Sequence, residues 1–182
     1  MLFLILALLS GVVGGLIVAA IPESRERLRN LIVILFTALG ALSCWVVGIS
    51  AFSGQSIMLV GHIAGFTFSL GPDPLGALFG IIASSLWMFA AVYSFGYMSE
   101  KKRHRTYFTF FLLSFSVTLG VAFSGNLIVL YLFYELLTFT TYPLVIHERT
   151  PEAVKAGKKY FLYSLSGAGA ILVAVVFTYS MS

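Results

Sequence analysis

Six long apolar runs separated by short polar segments set the pattern of this chain: Leu2 to Ile21, Leu31 to Phe52, Leu75 to Met98, Tyr107 to Ser124, Asn126 to Ile146 and Tyr160 to Met181. At 1.5 Å per residue each can cross about 30 Å of hydrocarbon as an α-helix. The pattern predicts an all-α, polytopic membrane helix bundle with about six transmembrane helices, residues 1–182 forming a single transmembrane domain. The first run lacks a preceding basic segment and is longer than a secretory signal core, so it is read as a true span.

The polar segments give a direction. Arg25, Arg27 and Arg29 follow the first run, Lys101, Lys102, Arg103 and Arg105 follow the third, and Arg149, Lys155, Lys158 and Lys159 follow the fifth. The connections after the second and fourth runs contain no Lys or Arg. All the basic residues therefore fall on one side of a six-span arrangement, which predicts an amino terminus outside and a multi-pass protein of the cell membrane.

Capping residues sharpen two of the starts. Asp73 before Pro74, and Thr150 before Pro151 and Glu152, are helix-start signatures, because an oxygen can accept from free backbone amides and proline costs no bond at the first position. Gly157 is expected to separate a short cytoplasmic turn of helix from the sixth membrane segment. The longest connection, Ser53 to Pro74, is left open: Ile57 to Phe68 fits either a short hairpin or an interfacial segment on the outer face. His62 within it reads as a solvated or hydrogen-bonded loop residue, and His104 as part of a solvated basic cluster.

Composition narrows the class further. The chain is 59% hydrophobic and 10% charged, against about 25% charged in soluble domains. Its net charge of +4 arises in the short polar segments, which leaves a nucleic-acid partner without support. The lone cysteine, Cys44, lies in an apolar run and reads as a small core residue. Neither a paired histidine set within the spans nor a cysteine cluster is present, so no cofactor or metal is assigned and a redox or quinone enzyme is disfavoured. Small residues at Gly11, Gly14, Gly15, Ser84, Ser85, Ser114, Thr118, Ser164, Gly167 and Gly169 imply close helix packing.

One residue breaks the apolar pattern. Glu135 is the sole carboxylate inside any of the long runs and sits midway along Asn126 to Ile146. An ionised side chain there costs roughly 2.5 to 3.5 kcal/mol on insertion scales, so a retained carboxylate faces protein or water and marks an ion pathway by default. Helical spacing puts Ser124, Tyr131, Glu135, Thr138 and Tyr142 on one stripe. The bland alternative is an interhelical contact, preferred for the hydroxyls but not for Glu135. Pro143 is expected to bend the helix near this stripe.

The elements YSFGYM from Tyr93, YFTFF from Tyr107, GNLIVLYLFYELLTFTTYPLV from Gly125 and KKYFLYSLSGAGAIL from Lys158 resemble the amino-terminal part of the antiporter-like membrane subunits. That family is shared by respiratory complex I, Mrp-type sodium/proton antiporters and membrane-bound hydrogenases. The resemblance implies that Glu135 pairs with a Lys on a broken helix later in the family's fold, and that the separation of the pair modulates proton transfer along a hydrated axis. No Lys or Arg lies within the core of any of the six runs, so the partner Lys is expected from a part of the protein beyond Ser182 or from another chain. Two readings follow: an ion-translocating half-subunit of a multisubunit membrane complex, carrying protons or sodium through Glu135, Tyr131, Thr138 and Tyr142, or a non-conducting structural subunit in which Glu135 is a static partner.

Overall fold

The computed structural model describes residues 1–55, 57–63 and 66–181. Its elements are α1 (Leu2–Ala20), α2 (Glu26–Phe52), β1 (Leu59–Ile63), β2 (Phe66–Leu70), α3 (Pro74–Met98), α4 (His104–Ala122), α5 (Leu127–Val145) and α6 (Pro151–Ser180). All six helices are long and apolar enough to cross a membrane.

Helix starts follow local chemistry. The Asp73 carboxylate accepts from the Gly76 amide at 2.6 Å, with Pro74 at the first position of α3. Thr150 Oγ1 does the same for the Ala153 amide at 3.1 Å before α6. Asn126 opens α5 by accepting from Val129 N at 2.9 Å. The helices run past the apolar runs where polar residues continue them: α2 begins at Glu26 and α6 at Pro151. Gly157 does not break α6. It is buried where Ile146 and Tyr142 of the preceding segment pack against the helix, so its missing side chain serves contact.

α4 is the centre of the bundle. Within its most apolar stretch 61% of residues are buried, against 11% for α5 and for α6. α1 lies against it where Gly11 meets the Leu112 carbonyl and Ser116, and where Gly15 meets Thr109 and Leu113. α2 approaches through Gly40, which faces Ser10 and the Phe115 ring, and Gly48 lets it rest on Ile81 of α3. Phe115, Leu119 and Phe123 join Leu4, Ala7, Cys44 and Val47 in one apolar core, and Phe108, Phe111 and Leu112 join Val18, Val33 and Ala91 in another. Trp87 bridges the two, its ring packed at a tilt against Phe111 and Phe115 and its indole N–H donated to the Phe111 carbonyl at 3.2 Å. Fully burying side chains of this size contributes about 1.5 to 3 kcal/mol each in aqueous reference scales.

The connection after α2 is a hairpin. β1 and β2 pair antiparallel, Leu59 opposite Leu70 and Ile63 opposite Phe66; residues 64 and 65 of the expected hairpin segment lie outside the described residues. The hairpin is laced to the α4–α5 connection by Gly71 N to Phe123 O at 2.8 Å, Gly125 N to Ser69 O at 2.9 Å, and the Asn126 amide to Thr67 O at 2.8 Å. His62 is exposed and bonds Thr67 Oγ1 at 3.4 Å, as a loop histidine does. At the opposite end the three basic segments converge: Lys101 Nζ donates to Glu148 Oε1 at 2.6 Å, His147 Nε2 meets the Lys102 carbonyl at 3.0 Å, and Arg29 bonds His104 at 3.2 Å. Positive charge thus occupies one end of the bundle and the hairpin the other.

Candidate functional site

α5 is held between α4 and α6, and its two sides differ in chemistry. On the α4 side the contact is apolar, the Phe133 ring covering Gly120. On the α6 side it is polar: Thr138 Oγ1 meets Ser164 Oγ at 2.6 Å and Thr141 Oγ1 meets Tyr160 Oη at 2.7 Å. Thr141 also donates to the Leu137 carbonyl at 2.6 Å. A hydroxyl has one proton, so the Tyr160 phenol must be the donor in the second pair. Tyr142 packs edge-on to Phe161 with ring centroids 5.6 Å apart, closing this face toward the basic end.

Glu135 lies beside that polar seam. Its carboxylate is half-buried, and Oε1 is shielded from solvent with no hydrogen-bond partner among the described residues. Tyr131, one turn earlier, is its electrostatic neighbour. A buried acceptor left unmade costs about 1 to 3 kcal/mol, and more when charged. Two events relieve it: the carboxyl takes a proton, or a cation approaches. No cation is paired with Glu135 among the described residues, whose ion pairs, Arg29 with Glu23 and Glu26 and Lys101 with Glu148, lie at the basic end.

A groove of about 350 Å³ opens between α5 and α6, lined by Tyr134, Leu137, Thr138, Tyr160, Tyr163 and Ser164. Thr138 is the point where this groove meets the stripe that carries Glu135. Of the residues singled out from sequence, Tyr131, Glu135, Thr138 and Tyr142 share a face of α5, and Thr138 and Tyr142 touch α6. Ser124 is not among them. It precedes α5, bridges to Leu70 of the hairpin and donates to the Gly120 carbonyl at 2.7 Å, because Asn126 starts a new helix and the wheel cannot be continued back through a cap.

Sequence reasoning missed Thr141, Tyr134, Tyr160 and Tyr163. Tyr134, Leu137 and Thr141 recur at helical spacing, and Tyr160 and Ser164 stand four apart, so two facing stripes were present in the pattern. Their pairing was not, because nothing in one sequence says which face of α6 meets α5.

Comparison with known proteins gives this geometry a family. Residues 124–182 match the family model described as NADH:quinone oxidoreductase/Mrp antiporter, TM. The chain is 32% identical over 113 residues, 62% of its length and 14% of the relative's, to the Na(+)/H(+) antiporter subunit A1 of Staphylococcus aureus strain JH9. The same protein from strain Newman matches equally. The chain therefore spans about one seventh of these relatives. Its fold superposes on a chain of the membrane-bound sulfane sulfur reductase, an archaeal respiratory membrane complex, with a TM-score of 0.82 and 24% identity, covering 98% of this chain and 28% of that one. The stretch matched by the family model includes α5 with Glu135 and α6 with Tyr160 and Ser164, and over it the chain is similar to the antiporter-like membrane subunits, corresponding to a portion of its relatives.

Proposed function

We propose that the chain works as part of an ion-translocating, antiporter-like unit of a multisubunit membrane complex of the Mrp or complex I kind, with Glu135 as its protonatable intramembrane switch. One observation carries the reading: Glu135 Oε1, midway along a helix long and apolar enough to span a membrane, is buried with no hydrogen-bond donor among the described residues. A static structural carboxylate is satisfied by its surroundings, whereas a switching one is left incomplete until the proton or the cation arrives. The cation in this proposal is a Lys contributed from outside residues 1–182, approaching α5 along its open side. Tyr131, Thr138 and Tyr142 flank the carboxylate with groups that donate to it or hold water in either charge state. Proton and sodium coupling are both compatible with one carboxylate; the readout below separates them.

The test is Glu135→Gln in the assembled complex, followed in everted membrane vesicles with a pH-sensitive dye on sodium addition and with a membrane-potential dye. The expected result is loss of ion transport by at least tenfold with the complex intact on a native gel, and partial recovery with Glu135→Asp. Transport at the parental rate in Glu135→Gln overturns the assignment. Loss of assembly with the glutamine variant moves Glu135 to the structural reading.

A further inference from the structure

α5 carries Glu135 yet is little buried, so its rotation depends on a few holds. On the side of the basic end these are the hydroxyl contacts of Thr138 and Thr141 with α6. Toward the hairpin the helix is held by Phe133 and, at its cap, by Asn126.

Asn126 serves two elements at once. Its Oδ1 accepts from Val129 N at 2.9 Å and caps α5, while Nδ2 donates to the Thr67 carbonyl at 2.8 Å and to Ser69 Oγ at 2.9 Å on β2. Turning the amide over would set N–H against N–H at Val129 and oxygen against oxygen at Thr67, so the surroundings fix its orientation. Serine and aspartate cap helices about as well as asparagine does. Neither can cap and make two outward donations together, so the grip on β2 is what asparagine adds.

The gripped strand is rooted in the core. Ser69 and Leu70 are buried, Ile57 and Leu59 pack on the cluster that contains Phe123, and Gly71 N donates to the Phe123 carbonyl at 2.8 Å. Gly125 lets the α4–α5 connection lie against β2, since a Cβ there would stand 2.7 Å from Ser69 Oγ. Phe68 of β2 meets Phe133 of α5 with ring centroids 6.4 Å apart, and Phe133 covers Gly120 of α4. Glu135 follows Phe133 and precedes Thr138, between the outer grip and the inner seam.

We infer that Asn126 is a positioning residue for Glu135: by gripping β2 it passes the rigidity of the core to α5 and fixes the rotation of that helix, and with it the place of the carboxylate. The inference rests on the switch role proposed above for Glu135. At about 6 Å from the helix axis, a turn of roughly 20° carries a carboxylate about 2 Å. Reacting groups work when held within roughly 0.5 Å and 10–20°, so slack at the cap reaches the site.

Asn126→Ser keeps a capping oxygen and loses the two-point grip. Transport per assembled complex, with assembly quantified on a native gel, is expected to fall about tenfold at an unchanged half-saturating ion concentration. Spin labels on Leu42→Cys and Leu136→Cys, both exposed positions, in the full chain carrying Cys44→Ser, are expected to show the distance shifted or broadened by about 2 Å when Asn126→Ser is added. A merely structural role lowers the yield or melting temperature of the complex and leaves each assembled copy transporting at the parental rate. That result overturns the inference, as does an unshifted distance. Ser69→Ala removes one acceptor of the grip and nothing from α5; it repeats both measurements, with a smaller effect expected, if Asn126→Ser does not assemble. Parental transport in Glu135→Gln sinks the switch itself, whereas parental transport in Asn126→Ser beside an inactive Glu135→Gln sinks the positioning role alone.

Discussion

The α1–α2–α4 core and the α5–α6 edge are written with the same small-residue vocabulary and use it differently. In the core, Gly11, Gly14 and Gly40 each meet a neighbouring helix closely enough that a side chain would collide, and at Gly15 it would fit only tightly. On α6, Gly167 and Gly169 meet nothing within 4 Å among the described residues. The hydroxyls divide likewise: Thr37 and Thr118 in the core donate to carbonyls of their own helices, whereas Thr138 and Thr141 at the edge reach across to α6. Close packing makes the first region rigid and self-sufficient. The second is joined by polar contacts and left largely uncovered, which is the arrangement a mobile or partner-dependent pathway needs.

The contrast breaks most directly at the large side chains. Phe115 is 1% exposed, and Phe115→Ala is expected to cost about 3 to 5 kcal/mol, as for buried aromatics generally. Phe177, 65% exposed on α6, is expected to tolerate alanine with little loss in the isolated chain. Reversible unfolding in mixed micelles compares the two. Comparable losses would remove the distinction between core and edge. A smaller effect of the same kind separates the glycines: Gly11→Ala and Gly40→Ala force a methyl onto the Leu112 carbonyl or the Phe115 ring and are expected to cost about 1 to 3 kcal/mol, while Gly167→Ala should be neutral or slightly stabilising. Melting temperatures of the three variants check it.

That difference also marks what the sequence could carry. Six apolar runs and two capping pairs sufficed for the helices, because span length and cap chemistry are local. Gly11 and Gly167 look alike in one sequence, and only tertiary contact makes one an interface. Glu135 was legible as an anomaly from its charge alone. Its unmet oxygen was not, since satisfaction depends on where α6 and the hairpin go. Ser124 was placed on the wrong element because helical periodicity continues through a sequence whereas the helix itself stops at Asn126. Arg29 sat in a basic segment that reads as solvated, and burial against Phe108 and His104 is a property of the fold.

Within the edge, the Thr138 and Ser164 hydroxyls provide a finer measure of how firmly α6 is held. A double-mutant cycle of Thr138→Val and Ser164→Ala isolates their coupling, and hydrogen bonds between membrane helices average about 0.6 kcal/mol in such cycles. A coupling of that size agrees with a seam able to open. A value several times larger would make the α5–α6 contact as rigid as the core and would weaken the case for a moving pathway at Glu135.

The mildest expected effect lies at the basic end, where the loops of the two regions are clasped. The Lys101 ammonium, by hydrogen bond and then by charge, holds the Glu148 carboxyl below its ordinary 4.5, and the same bond holds Lys101 above 10.5. The stability this pair adds is therefore present above pH 4.5 and lost as pH falls through the depressed Glu148 value, and present below pH 10.5 and lost as pH rises through the raised Lys101 value. Both groups are exposed, so the contribution is small and screened by salt. His147 behaves differently: burial, aided by the charge of Arg103, lowers it below 6.5 although its bond to the Lys102 carbonyl opposes the shift. Its contribution is present above pH 6.5 and lost as pH falls through the lowered value. Any loosening of the clasp in mildly acid solution thus belongs to His147 and not to the ion pair. Hydrogen exchange across residues 99–106 and 146–150, corrected for intrinsic rates, should show a mild rise below pH 6.5 that His147→Gln removes and Glu148→Gln leaves in place; the reverse pattern would assign the acid sensitivity to the ion pair.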